Sequence, residues 1–321
     1  MRTYILNRLA QVLPLLLLIS FVVFLSIQAT GDPLAAYTVD ASLTADDIAR
    51  LKAKYGLDQP VPMQYLNWLK NMATGNWGTS YFTRENVVDM IWERLPNTLI
   101  LFAVSYVFIL AFALLLGILA AVHQYSVFDH VTTALSFLGI AAPSFWLGLM
   151  LIYLFAVRLK AWGLPYLPVG GMYDLAVGKT LPEVARHVIL PSITLSVVVC
   201  ARYIRYIRSS ILEQLQLDYV RTAAAKGLHP STVLSRHVLK NVLLPLITLV
   251  GLDLPNFLSG TIVIESIFAW PGVGRLFWSA AERTDIPVLM AIMLFVAVMT
   301  VGFNLCADIL YAVVDPRISY S

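Results

Sequence analysis

Apolar residues dominate six long stretches of the chain: Leu9–Ala29, Asn97–Val122, Val131–Val157, Val188–Ile207, Val242–Ile264 and Ile286–Ala307. A helix needs roughly 20 such residues to cross a hydrocarbon core. The pattern predicts an all-α integral membrane protein with six transmembrane helices. The fourth stretch is the weakest, because its charge-free part runs only from Val188 to Ala201 before Arg202 and Arg205. It predicts a helix whose basic end snorkels to the interface and continues into water; the alternative is a re-entrant segment. Between the stretches the chain divides into 1–30 (amino terminus and first span), 31–95 (a long aqueous segment), 96–315 (a five-helix core) and the tail 316–321.

Composition agrees with lipid as the solvent. The 321 residues are 59% hydrophobic and 13% charged, with mean hydropathy +0.77, whereas soluble domains carry about 25% charged residues. Arg2 and Arg8 ahead of an apolar run imitate a secretory signal. The run is too long for a signal core, and Ser26-Ile27-Gln28-Ala29 offers no small-x-small cleavage site, so it reads as a retained first span.

The net charge of +3 matters less than its distribution. Between Arg202 and Lys240 lie seven basic residues against the two acids Glu213 and Asp218, which places this segment in the cytoplasm. Six spans then put both termini inside and 31–95 outside. Cys200 and Cys306 each fall within a span and support neither a disulfide framework nor a zinc site. His123, His130, His187, His229 and His237 lack metal-ligand spacing. No metal site and no catalytic residue is expected.

Gly31-Asp32-Pro33 ends the first span, and the sixty residues that follow are expected to fold. Thr44 can cap a helix carrying Asp46 and Asp47 in its first turn. Tyr65, Trp68, Trp77, Tyr81 and Trp92 would pack a small helical layer on the membrane surface. His123–His130 reads as a tight cytoplasmic turn. Arg158–His187 and Ser266–Asp285 read as outer loops marked by Pro and Gly, the second containing Trp270-Pro271-Gly272-Val273-Gly274-Arg275.

The most informative segment is Asp218-Tyr219-Val220-Arg221-Thr222-Ala223-Ala224-Ala225-Lys226-Gly227, followed by Leu228-His229-Pro230 and, further on, Leu244-Pro245. Its alanines favour helix, Gly227 suits a left-handed cap and Pro230 can open the next helix. Val220, Ala224 and Gly227 fall at i, i+4 and i+7, which predicts one face of small residues able to enter a groove in another protein. Arg221 and Lys226 would stay available for carboxylates at its rim.

This segment resembles the cytoplasmic EAA loop of ABC importer membrane subunits, where a short coupling helix docks into the ATPase. The general pattern has Glu-Ala-Ala where this chain has Arg221-Thr222-Ala223, and Leu244-Pro245 lies about five residues late. Both departures, with "DYVRTAAAKGL", "RHVLKN" and "LLP", are similar to the dipeptide and oligopeptide permeases. "NRLAQVLPLLLLISFVVF", "GDP", "YGLDQPVPMQYLNWL", "GNWGTSY", "SIFAWPGVGRL" and "DILYAVVDPRI" extend the likeness to the first permease of such operons over nearly the whole chain.

The resemblance implies a type I ABC importer permease fold in the bacterial inner membrane, with the coupling loop at 208–241. It implies a second permease, two cytoplasmic ATPases and an extracytoplasmic binding protein that delivers di- or oligopeptides. ATP and Mg would sit on the partner ATPases, with no cofactor on this chain and no nucleic acid partner. Glutathione, a nickel complex or an oligosaccharide are the alternative cargoes. Trp270, Pro271, Gly272 and Arg275 are candidate contacts for the binding protein.

Two further signals have weaker claims. Gly178-Lys179-Thr180 ends like a phosphate-binding loop, but such a loop needs glycine where this chain has Tyr173. Asp253, with Pro255 and Asn256 after it, lies mid-span, where an ionisable group is a functional candidate; Asp253 and Asn256 are candidate lining of a translocation path. Glu265 and Asp308 are expected to brace loops. A proton-coupled secondary transporter would need intramembrane acids in matched halves, and only Asp253 answers that description.

Overall fold

The computed structural model describes the backbone of residues 2–29 and 44–314, and their side chains other than those of 2–13, 45, 54, 244, 248, 255–259 and 308–314. Gly31-Asp32-Pro33, the tail 316–321 and the side chains of Asn256 and Asp308 lie outside this description. Every regular element described is helical, apart from one isolated bridge between Thr79 and Asn86. In chain order these are α1 (Arg2–Ala29), α2 (Ala45–Tyr55), α3 (Val61–Ala73), α4 (Val87–Val122), α5 (Val127–Ala141) and α6 (Ser144–Ala161, with a π stretch at Ile152–Arg158). They continue with α7 (Leu181–Leu215), α8 (Asp218–Ala225), α9 (230–267, with a π stretch at Leu234–Val238), α10 (Val273–Glu282) and α11 (Ile286–Val314).

Among the described residues five helical stretches are long and apolar enough to cross a membrane: Val87–Val122, Ser144–Ala161, Leu181–Leu215, Pro230–Leu254 and Ile286–Ala307. The expected first span lies in α1, whose described apolar part, Pro14–Ala29, is shorter. The expected third span, Val131–Val157, is not one helix. It breaks between α5 and α6, where Ala142 is extended at ψ 125° ahead of Pro143, the conformation a proline ring favours in the residue before it.

The chain forms two compact units. One comprises described residues up to Pro96 together with Gly272–Gly302; the other comprises Asn97–Pro271 with residues from Phe303 on. In the first, Thr44 caps α2 reciprocally, accepting from Asp47 N at 3.3 Å while the Asp47 carboxylate accepts from Thr44 N at 3.1 Å. Of the aromatics expected to form a layer, Tyr65, Trp68 and Tyr81 make ring contacts. Tyr65 meets the rings of Phe21 and Phe24 and stacks on Trp68, and Tyr55 packs on Tyr81 with centroids 4.4 Å apart. Trp92 does not join it and is 63% exposed.

Asp285, just before α11, ties this unit together. The Ser80 hydroxyl donates to its Oδ2 at 2.5 Å and Tyr81 N to its Oδ1 at 3.1 Å. The same hydroxyl accepts from Phe82 N and Thr83 N. Burial pushes the Asp285 carboxyl above the usual aspartate range, and these hydrogen bonds work in the opposite direction.

In the second unit α7 packs against α5, α6 and α9, around a core that includes Leu101, Ile109, Ile207, Ile264, Phe268 and Trp270. Close approach depends on small residues: a Cβ on Gly117 would lie 2.9 Å from Ile207 Cβ. The loop after α6 is pinned in the same way. Gly171 N donates to Phe268 O at 2.8 Å, and His187 Nδ1 lies 3.0 Å from Gly170 O.

A Cβ at Gly170 would sit 2.5 Å from Phe268 O, whereas one at Gly178 meets nothing within 4 Å. Gly170→Ala therefore forces backbone to move, and overpacking of this kind costs about 1–3 kcal/mol. Gly178→Ala, left-handed at φ 84°, meets only local strain. Thermal unfolding in detergent should show the larger loss for Gly170→Ala.

Candidate functional site

The segment singled out by its sequence is the two-turn helix α8. Its end is a Schellman arrangement, with Gly227 N donating to Ala224 O at 2.9 Å and Leu228 N to Ala223 O at 3.4 Å. Gly227 is left-handed at φ 77°, as its place after three alanines predicts. Thr222 donates to Asp218 O and the Tyr219 hydroxyl to Gln214 Oε1, so the helix is held to its own first turn and to the end of α7. The His229 ring accepts from Ser231 N and opens α9 beyond the glycine.

The face that α8 presents differs from the one expected. Val220 is buried at 8% exposure and Ala223 at 6%, both packed into the chain's own core. The pair i, i+3 is the inward seam of the helix. Val220 is therefore unavailable to a partner, and the outward face is Asp218, Arg221, Thr222 and Ala225, with Ala224, Lys226 and Gly227 exposed beside it. Tyr219 is half-buried. The outward residues are small or polar, and among the described residues Arg221 reaches Asp218, at 3.5 Å and largely exposed.

Three arginines of α7 were expected to leave the membrane by snorkelling or to act as loop charge. Each meets a group on a neighbouring helix. Arg208 grips Asp129 of α5 with two contacts, 2.5 and 2.7 Å, the Asp129 side chain being 3% exposed. Arg205 lies over the Phe137 ring of α5, 4.4 Å from its centroid. Arg202 reaches Asp253 of α9 at 3.3 Å. Asp253 is thus not a solitary intramembrane acid, and the hydroxyl-bearing rings of Tyr106 and Tyr203 stand within its electrostatic reach. Nothing in the sequence spacing pairs residues 202 and 253, because the contact joins two helices.

The Trp270–Arg275 segment divides into a buried and an open part. Trp270 is 0% exposed and donates from Nε1 to Asn97 O at 2.9 Å, while Asn97 Nδ2 donates to Pro271 O at 2.8 Å. Gly272 is buried and Pro271 half-buried. As contacts for a binding protein Trp270 and Gly272 are excluded: an indole that fills a core and satisfies a helix carbonyl is a structural anchor. Arg275 is exposed. Glu265 braces this corner, accepting from the buried Thr98 hydroxyl at 2.8 Å.

Residues 113–320 match the family described as binding-protein-dependent transport system inner membrane component, and residues 1–102 match its N-terminal counterpart. The chain belongs to this family. The permease is 42% identical to the oligopeptide transport system permease protein AppB of Bacillus subtilis, over all of both chains. It is 36% identical to the dipeptide transport system permease protein DppB of Escherichia coli, over 100% of this chain and 99% of the relative. A chain of the inward-facing MetNI methionine ABC transporter superposes with TM-score 0.51 at 14% identity, covering 71% of this permease and 96% of that chain; it shows the shared ABC importer permease fold. With several apolar helices, the permease is a multi-pass inner-membrane protein.

The inward and outward faces of α8 give different expectations. Val220→Ala should lower thermal stability by about 1 kcal/mol or more, since it empties buried space. Ala224→Ser and Thr222→Ala, on the open face, should stay within about 0.5 kcal/mol. Equal losses at all three positions, measured by unfolding of the purified permease alone, would place α8 differently.

Proposed function

We propose that this permease is one of two membrane subunits that together form the translocation path for di- and oligopeptides delivered by an extracytoplasmic binding protein. Two ATPases on separate chains supply the energy, and the permease itself does no covalent chemistry. The observation that carries the reading is the open face of α8: a short, capped helix whose inner seam is anchored in the permease core and whose outer face is small and polar. Relatives named as oligopeptide and dipeptide permeases support the choice of cargo.

ATP-driven closure of the ATPases would move α8, and the α7 and α9 helices into which it is anchored would carry that motion across the membrane. Anchoring by Val220 and Ala223 is what makes the helix a lever. Asp218, Arg221, Thr222, Ala224, Ala225, Lys226 and Gly227 are its docking surface, and Arg275 stands as a contact for the binding protein. Counting α1 among the spans gives six, with both termini and the basic coupling loop 208–241 in the cytoplasm and residues 44–86 on the opposite side.

The test is uptake by the permease reconstituted with its sister permease, ATPases and binding protein. Labelled dipeptide should enter vesicles only with ATP. Ala224→Trp and Gly227→Val should leave the two permeases paired yet release the ATPases and stop uptake, since added volume on the docking face pushes the interface apart. Arg221→Glu should act more mildly, a rim charge tuning association more than anchoring it. Normal copurification and uptake in both bulky variants would remove α8 from coupling. Orientation is checked separately by cysteines at the exposed positions Lys70 and Ser231, which should label from opposite sides.

A further inference from the structure

Among the described residues two carboxylate–arginine pairs join different helices, one closed and one open. Arg208 and Asp129 make two short contacts, at 2.5 and 2.7 Å, with side-chain exposures of 25% and 3%. Fork-to-carboxylate geometry of that kind is strong and specific. Arg202 and Asp253 share a single contact at 3.3 Å, and the Arg202 side chain is 47% exposed. Such a pair leaves guanidinium donors and carboxylate lone pairs unused by each other.

The open pair cannot face lipid. A half-exposed arginine within hydrocarbon costs several kcal/mol, and ionisable groups at this depth face a bundle interior or a hydrated cavity. Asp253 falls near the middle of the apolar run 242–264, and Tyr106, beside it, near the middle of 97–122. The buried tyrosines Tyr106 and Tyr203 lie within electrostatic reach of Asp253. A positive group and a negative group thus meet between two spans, with the Arg202 side chain half-exposed.

We propose that Arg202 and Asp253 form an exchangeable site in the translocation path that reads the two charged termini of a peptide. Asp253 takes the terminal ammonium and Arg202 the terminal carboxylate, and both return to one another when the peptide leaves. The self-pairing lets the site be emptied without stranding a charge in a poorly solvated place, where an unpaired ion is costly. The inference rests on the proposed peptide cargo and adds which chemical feature of that cargo the membrane subunit recognises.

The test uses the assembled transporter in detergent, without the binding protein, and follows its thermal unfolding as dialanine, N-acetyl-dialanine or dialanine amide is titrated. Dialanine should bind about tenfold tighter than either blocked form, in line with loss of a hydrogen bond to a charged group. Asp253→Asn should erase the distinction between dialanine and its acetyl form while keeping that against the amide. Arg202→Gln should do the reverse. Asp253→Glu and Arg202→Lys, which retain charge, should keep discrimination even if a neutral variant fails to assemble. Equal or absent shifts with the three peptides in the unaltered transporter, or discrimination that survives both neutral substitutions, would overturn the proposal. ATP-driven uptake of dialanine by the same unaltered preparation, with binding protein added, separates the two failures. Uptake without terminal discrimination sinks only this site, and absence of uptake sinks the peptide reading.

Discussion

A charge or hydrogen-bonding group placed among apolar helices must find its partner within the protein, because lipid supplies none. Three acids of the second unit follow this rule. Asp129 is held by Arg208, Asp253 by Arg202 and Glu265 by the Thr98 hydroxyl. Each partner comes from another helix, so the polar groups fix which helices meet and in what register. Apolar side chains then fill the space around them. The arginines at 202, 205 and 208, one turn apart on α7, make three such connections in sequence to α9 and α5.

The same rule gives α8 its proposed mechanical character. Its inner seam, Val220 and Ala223, belongs to the hydrophobic cluster that includes Ile207, Ile211 and Val233. The helix is continuous with the packing of the spans at either end and is not a loose loop between them. Its Schellman end and the prolyl start of α9 turn the chain back sharply, leaving one face uncovered. A push on that face has rigid elements on which to act, which is the physical content of the coupling proposal.

Long-period features were legible in the sequence. Apolar length announced the membrane class and the all-helical fold, Gly227 announced its own left-handed backbone, and Thr44 with Asp47 announced the start of α2. What remained hidden depended on which face of a helix turns inward or on contacts between distant residues. Val220, Ala224 and Gly227 share a face by spacing, yet the core takes Val220 with Ala223, and spacing does not say where neighbouring helices stand. Trp270 read as a loop aromatic because Pro271 and Gly272 follow it; its bond to Asn97 O, across more than 170 residues, makes it core. Pro143 lay in plain view within an apolar run, but Pro96 and Pro191 sit inside continuous helices, so a proline by itself did not mark the break.

Which side of α8 meets the ATPase is the question on which the account turns, and photocrosslinking from single positions answers it. A photoreactive residue at Ala225, on the open face, should crosslink to the ATPase in the assembled transporter. The same residue at Ala223 should crosslink only within the permease. Crosslinks to the ATPase from neither position, with an intact and ATP-hydrolysing assembly, would contradict the assignment of α8 as the coupling surface.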